Sequence, residues 1–308
     1  MTSVVLNGVT PALSTLGVIR AEGPDAASFL HGQLTQDFAL LGGGEARLAA
    51  LCTAKGRMIA SFIGIKPKPE TILLVCSKDI LAATLKRLSM FVMRAKAKLT
   101  DASAEFVVYG LAGTAIAGNG GDPAAAPGQR AALTEVSLVS LYPSDGVPRA
   151  LWIAPVDSAA PTGDSLDTGL WLWSEVRSGI VTLTTPVVEA FVPQMLNYES
   201  VGGVNFKKGC YPGQEIVARS QFRGTLKRRA YLVQADGAVA VGDEVFGGTD
   251  AEQSVGIVAQ VAPAPGGGWS ALISMQVAAL EAGGLRAGTA SGPALIVEPL
   301  PYPLLEDI

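Results

Sequence analysis

No strongly apolar run in this chain is longer than a β-strand, which restricts it to folds assembled from short, layered elements. The longest such pieces, residues 71–76 among them, fall far below the roughly 20 residues that cross a bilayer. Hydrophobic residues make up 49% of the 308 positions and charged residues 16%. That is ample material for buried cores and argues against large-scale disorder. Single cores rarely grow past roughly 250 residues, so two or three structural units are expected.

Local patterns give those units a mixed character. Gly23-Pro24-Asp25 resembles a helix start, and Leu30, Leu34 and Phe38 recur at i, i+4 and i+8 as one helical stripe. Residues 47–52 and 57–65, joined by Thr53-Ala54-Lys55-Gly56, read as a hairpin. A strand at 71–76 leads to Ser77, a plausible N-cap, and a helix presenting Leu81, Leu85 and Leu88. Ala95, Ala97 and Leu99 alternate with Lys96 and Lys98 as in a half-exposed strand. Residues 111–130 and 143–168, rich in Ala, Gly and Pro, are expected to include surface loops. Past Lys227 come five short strand candidates, at 229–233, 244–246, 255–261, 269–275 and 294–297, parted by glycine and proline turns. The expected fold class is α+β, ending in a small all-β barrel.

Several function classes are excluded by residue counts. The three cysteines, Cys52, Cys76 and Cys210, are far apart and odd in number, so a disulfide framework is not expected. His31 is the single histidine and no CxxC occurs, so the chain lacks ligands for a zinc site or a complete iron–sulfur cluster of its own. Residues 1–20 lack the pattern of a secretory signal or a mitochondrial presequence. The compartment expected is a reducing cytoplasm, with no membrane partner. The run at 118–122 matches neither a GxGxxG nor a Walker pattern.

Chemistry concentrates in residues 207–229, KKGCYPGQEIVARSQFRGTLKRR. Seven Lys and Arg face one acid, Glu215, giving a local charge of +6 in a chain of net −4. Such a patch attracts an anionic partner, or else protects a solvated strand edge. Gly209, Gly213 and Gly224 allow tight turns or close approach, and Pro212-Gly213 is a turn pair. Cys210 directly follows Lys207, Lys208 and Gly209, where positive charge raises a thiol's reactivity. Cys52 and Cys76 sit in strand patterns as buried small hydrophobes.

The run Lys208-Gly209-Cys210-Tyr211-x-Gly213-Gln214-Glu215, followed by Val217-Ala218-Arg219 and Phe222-Arg223-Gly224, closely resembles the signature of the YgfZ family. Companion matches are Phe29-Leu30-x-Gly32-Gln33-x-Thr35-x-Asp37, Lys55-Gly56-Arg57, Phe191-x-Pro193-Gln194-x-x-Asn197 and Glu298-Pro299-Leu300-Pro301-Tyr302. These are folate-binding proteins of iron–sulfur cluster maintenance, related to the glycine-cleavage T-protein, an aminomethyltransferase. The resemblance implies a GcvT-like folate-binding body over residues 1–225, made of two α+β subdomains, some ferredoxin-like, and a C-terminal β-barrel over 226–308. Tetrahydrofolate would bind in a central hole, with no metal held by this chain alone. Cys210 is the implied functional thiol, with Lys208 and Glu215 beside it. It would either lend one thiolate to a cluster shared with a client or scaffold protein, or act as a nucleophile.

The implied folate-binding residues are Glu189, Gln194, Asn197, Gln33, Thr35, Tyr211, Gln214, Arg219 and Arg223. A pterin presents an amidine-like edge to a carboxylate, for which Glu189 is the candidate, although it also reads as an ordinary exposed acid. Folate's anionic tail suits the Arg219/Arg223 region. Gln33, Thr35 and Asp37 either line the pocket or cap locally. His31 reads equally as a helix-surface residue or a ligand. Of Trp171 and Trp173, one faces the core and the other a cavity, unless both pack in the core.

Two rival functions have weaker support. An aminomethyltransferase needs a carboxylate just before an early strand, and the matching Pro67-Lys68-Pro69-Glu70-Thr71 lacks the T-protein's aspartate. Direct nucleic-acid binding through 207–229 would rest on two aromatics, Tyr211 and Phe222, in a chain that is acidic overall.

Overall fold

The computed structural model describes residues 5–222, 226–247 and 250–305. In chain order the first third forms β1 (Gly8–Val9), β2 (Leu16–Glu22), α1 (Ala26–His31), β3 (Ala46–Cys52), β4 (Met58–Lys68), β5 (Thr71–Ser77), α2 (Lys78–Ser89) and β6 (Lys98–Asp101). Then follow β7 (Phe106–Ala112), α3 (Ala115–Gly118), β8 (Arg130–Leu133), β9 (Val136–Ser144), β10 (Val147–Pro155) and α4 (Thr168–Arg177). After two 3-10 turns at Thr185–Val187 and Pro193–Leu196 come α5 (Gln214–Phe222), β11 (Arg228–Ala235), β12 (Glu244–Gly247), β13 (Asp250–Pro263), β14 (Trp269–Gln276), α6 (Val277–Ala282), β15 (Arg286–Ala287) and β16 (Leu295–Glu298). No helix among the described residues is long and apolar enough to cross a membrane.

The first sheet runs β3-β4-β5-β2-β6, all antiparallel. Strand β5 explains why residues 71–76 are unbroken in apolarity. Its period of two sends Ile72, Leu74 and Cys76 into a core with α1 and α2, and Leu73 and Val75 into another against the second sheet. The 47–65 hairpin forms as expected, as does the helix after Ser77. The Leu30/Leu34/Phe38 stripe, however, is not one helix. α1 stops at His31, and the chain turns so that Leu34 bridges Leu51 and the Thr35 N–H donates to the Ala50 carbonyl, 3.0 Å away. All three apolar residues are fully buried, but two of them get there by an extended turn.

The second sheet, β1-β7-β10-β9-β8, includes β9 and β10 as buried nine-residue strands. Pro148 and Pro155 at the ends of β10 mask a strand within what the composition marks as loop-rich 143–168. α4 then lies between this sheet and the C-terminal one. Asp167 caps it, accepting from the Leu170 N–H at 3.0 Å. Positions two apart on a helix point roughly 200° apart. Trp171 accordingly packs into the core of the second sheet, while the Trp173 indole N–H donates to Ser270 on β14 at 3.0 Å.

The C-terminal strands form a six-stranded half-barrel ordered β15-β12-β13-β14-β11-β16, and all five strand candidates past Lys227 are found in it. Its outer strands meet at one bridge, Arg286 to Ala294. Tyr231, Val233, Ile273 and Met275 fill its interior, whereas Leu232 and Leu272 point the other way and join the core of the first sheet.

Candidate functional site

Between the first two sheets and α4 lies a cavity of about 330 Å³. Its walls are Leu48 and Ile63 from the first sheet, Val139 and Leu141 from β9, Arg149 from β10 and Glu175 from α4, closed by Gln36 and the strap Val201-Gly202. Gln36 holds that strap, donating to the Gly202 carbonyl at 2.7 Å. Arg149 is only 2% exposed and stacks 4.4 Å over the Trp171 ring. Burial pushes its guanidinium down to about 10, partly offset by Glu175. The Glu175 carboxyl is raised by burial and held back by the Arg149 charge. Their closest approach is 4.0 Å, and Arg149 Nε is buried without a partner. Arg149 also reaches the Tyr142 carbonyl at 3.5 Å, and half-buried Glu175, too far away for a hydrogen bond to Arg149, keeps acceptor capacity in the cavity wall. Neither residue stands out in the sequence. The signals that mark them are a single cation within a nine-residue, largely apolar strand and a single acid inside α4.

The cysteine loop is built against the turn of the β3–β4 hairpin. Gly213 (φ +82°) packs backbone to backbone on the β3–β4 hairpin, and a Cβ there would stand 2.4 Å from the Thr53 carbonyl oxygen. This contact is why Lys55-Gly56-Arg57 and the Pro-Gly turn belong to one motif set. Cys210 is exposed, whereas Cys52 and Cys76 are buried and pushed up to about 12 by desolvation. Lys208 is turned inward. Its ammonium donates to the His31 carbonyl and, at 2.8 Å, to that of Leu34, closing the C-terminus of α1. It lies 4.7 Å over the Tyr211 ring, and burial pushes it down to about 8.

The remaining candidate residues divide by role. Thr35 donates to the Gly203 carbonyl at 2.6 Å and accepts from the Ala50 N–H at 2.9 Å. Gln194 donates to Val217 O at 2.7 Å. Asn197, in the left-handed region, exchanges hydrogen bonds with Ala230. These three fasten the 193–203 segment to its surroundings and none lines the cavity. Glu189 is exposed and outside it too, so the carboxylate in the cavity wall is Glu175. Gln33 is half-buried with its amide oxygen unpartnered, Tyr211 is buried, and Gln214 opens α5. Glu215 and Arg219 pair with each other at 2.7 Å on the exposed face of α5. Arg223, like Gly224, lies outside the described residues.

Among the described residues the +6 stretch is therefore not a free cationic patch. Lys208 caps α1, Arg229 pairs with buried Glu199 at 2.8 Å, and Arg228 donates to the Val255 carbonyl. Lys207 and Lys227 remain exposed. Among the described residues no group of three or more His, Cys, Asp or Glu could hold a metal ion.

A half-barrel joined to two antiparallel sheets around a cavity is the fold of the glycine-cleavage aminomethyltransferases. The structure is similar to that of aminomethyltransferase T from Bartonella henselae, with a TM-score of 0.67, 18% identity, and coverage of 98% of this chain and 87% of that one. No family model matches the sequence. Among curated proteins it is 30% identical to the tRNA-modifying protein YgfZ of Edwardsiella ictaluri, over 70% of this chain and 68% of the relative. It is 27% identical to YgfZ of Yersinia enterocolitica over 96% and 93%. The chain belongs to the YgfZ family.

Proposed function

We propose that this chain is a tetrahydrofolate-binding accessory protein that supports assembly or repair of iron–sulfur clusters in client enzymes, with Cys210 as its functional thiol. Its relatives are named for tRNA modification, and the clients on this reading include tRNA-modifying enzymes. The observation that carries the reading is the cavity with its buried Arg149 and half-buried Glu175. At about 330 Å³ it is within the size range of small-molecule pockets, apolar walls with a few convergent polar groups being their usual make-up. A pterin edge offers N–H donors that match the acceptor capacity of Glu175, and the Arg149 guanidinium beside it supplies positive charge to the same wall. In this reading residues 1–225 are the folate-binding body, 226–308 the barrel, and a reducing cytoplasm keeps exposed Cys210 as a thiol.

Calorimetry with tetrahydrofolate tests the proposal. Binding is expected without added metal or nucleotide, and Glu175→Gln, which keeps the shape and removes the charge, should weaken it tenfold or more. No binding at millimolar ligand would sink the folate assignment. Failure of Cys210→Ser to complement a deletion strain is expected separately. One-carbon transfer is the alternative, but Glu70, in the segment matching the T-protein's acid, is exposed in the β4–β5 turn and does not line the cavity.

A further inference from the structure

The chain's single histidine, His31, packs against the loop that carries its single exposed cysteine, Cys210. His31 ends α1, and the turn after it brings Asp37 back so that Oδ1 lies 3.0 Å from His31 Nδ1. The Leu40 N–H also donates to that oxygen, at 3.0 Å. Burial works against the Asp37 carboxylate, but these hydrogen bonds and His31 together hold it below the usual range. An ionised carboxylate only accepts, so Nδ1 donates to it, and in the neutral imidazole the lone pair is then on Nε2. That Nε2 faces the cysteine loop. A Cβ built on Gly209 would stand 3.2 Å from it, and Gly209 is the residue directly before Cys210. Consecutive Cα atoms are about 3.8 Å apart, so Cys210 follows one residue after the point where the loop meets the ring.

Lys208 fixes the two halves of this arrangement to each other, since its ammonium is bonded to the backbone oxygen of His31 itself. It also interacts electrostatically with both Asp37 and Cys210. The charged and titratable groups around the imidazole are therefore Asp37 from its own turn and Lys208 and Cys210 from the opposing loop.

We propose that His31, oriented by Asp37, is the proton acceptor that activates Cys210. The proton leaves Sγ for Nε2, the sulfur keeps the bonding pair as a thiolate, and the Asp37 carboxylate balances the imidazolium that results. His31 acts through the thiol and is thus a positioning and activating residue. The arrangement is a thiol–imidazole–carboxylate sequence, and none of its three residues lines the cavity. The inference rests on Cys210 being the functional thiol.

The test is alkylation of the full-length protein by iodoacetamide between pH 5.5 and 9.5, read by mass at each cysteine. Buried Cys52 and Cys76 are internal controls. Wild-type Cys210 should react at least tenfold faster than Cys210 in His31→Gln at pH 6.5. The two should converge by pH 9.5, where hydroxide removes the proton unaided, and Asp37→Asn should fall between them. Superimposable pH–rate profiles for wild type and His31→Gln would overturn the proposal. A second measurement stands if that variant does not fold. The lone histidine gives one Hε1 resonance, whose titration curve should be displaced in Cys210→Ser, and an unmoved curve would equally overturn the assignment. Neither measurement uses folate or a client enzyme, so their failure is distinct from failure of the functional reading.

Discussion

The ammonium of Lys208 is charged against a steep local penalty, and pH exposes that penalty. Burial lowers its folded-state value to about 8 from an ordinary 10.5. Between those values the unfolded chain binds more protons than the folded one, so stability rises with pH across about 8 to 10.5. Below about 8 the cost is present in full. Cys52 and Cys76 work in the opposite sense above their ordinary 9.0, because their folded thiols stay protonated longer. Urea denaturation of wild type and Lys208→Met at pH 7.5, 8.5 and 9.5 separates the two, since both proteins share the cysteines. Wild type should gain on the variant as pH rises, and parallel profiles would show that Lys208 does not carry the effect. Residues of this kind set the limit of sequence reading. Cys210 and Lys208 stand out in the sequence because a short contiguous motif holds them, although the inward turn of Lys208 onto α1 is visible only in the fold. Arg149 and Glu175 were not, because their significance comes from a pairing across 26 positions that only packing creates. His31 lacked a second histidine, but its partner is a carboxylate six residues away that the turn after α1 returns to it.

Elements show the same division between local and non-local causes. The β3–β4 hairpin, α2 and the C-terminal strands follow from period, cap and turn residues, and all of them form. The Leu30/Leu34/Phe38 spacing fits a helix equally well, but the Thr35 hydroxyl and the edge of β3 supply hydrogen bonds that end it early. β10 was hidden by its flanking prolines. α4 depends on one local interaction, the Asp167 cap on the Leu170 N–H. Asp167→Ala should cost about 1 kcal/mol, within the range for N-cap removal. Because Glu175 sits two turns further along this helix, fraying is expected to reach the cavity wall only weakly. Chemical denaturation measures the first effect, and a loss above about 2 kcal/mol would mean that Asp167 does more than cap.

For the whole molecule, the position of α4 between two sheets decides how it unfolds. Trp171 is fully buried in the core of the second sheet, Trp173 is bonded to β14, and Leu232 and Leu272 belong to the core of the first sheet. The half-barrel thus shares buried surface with the body and should melt with it. Tetrahydrofolate at one hundred times its Kd should stabilise the protein by about 2.7 kcal/mol through mass action alone. Calorimetric scans should show one transition that moves as a unit. Two transitions, of which only one responds to ligand, would show that the barrel unfolds independently.

The turn from Thr35 to Asp37 assigns three consecutive side chains to three tasks. Thr35 anchors the turn, Gln36 holds the strap over the cavity, and Asp37 orients the histidine beside the thiol. A ligand that shifts the strap pulls on Gln36 and so changes the free energy of the adjoining imidazole. Thermodynamic linkage then runs both ways. Whatever factor an occupied cavity applies to the protonation equilibrium at Cys210, a change in that protonation returns to the ligand's dissociation constant. On the proposed roles of cavity and thiol, a single peptide bond, between Gln36 and Asp37, would join the two, with no movement of a domain required.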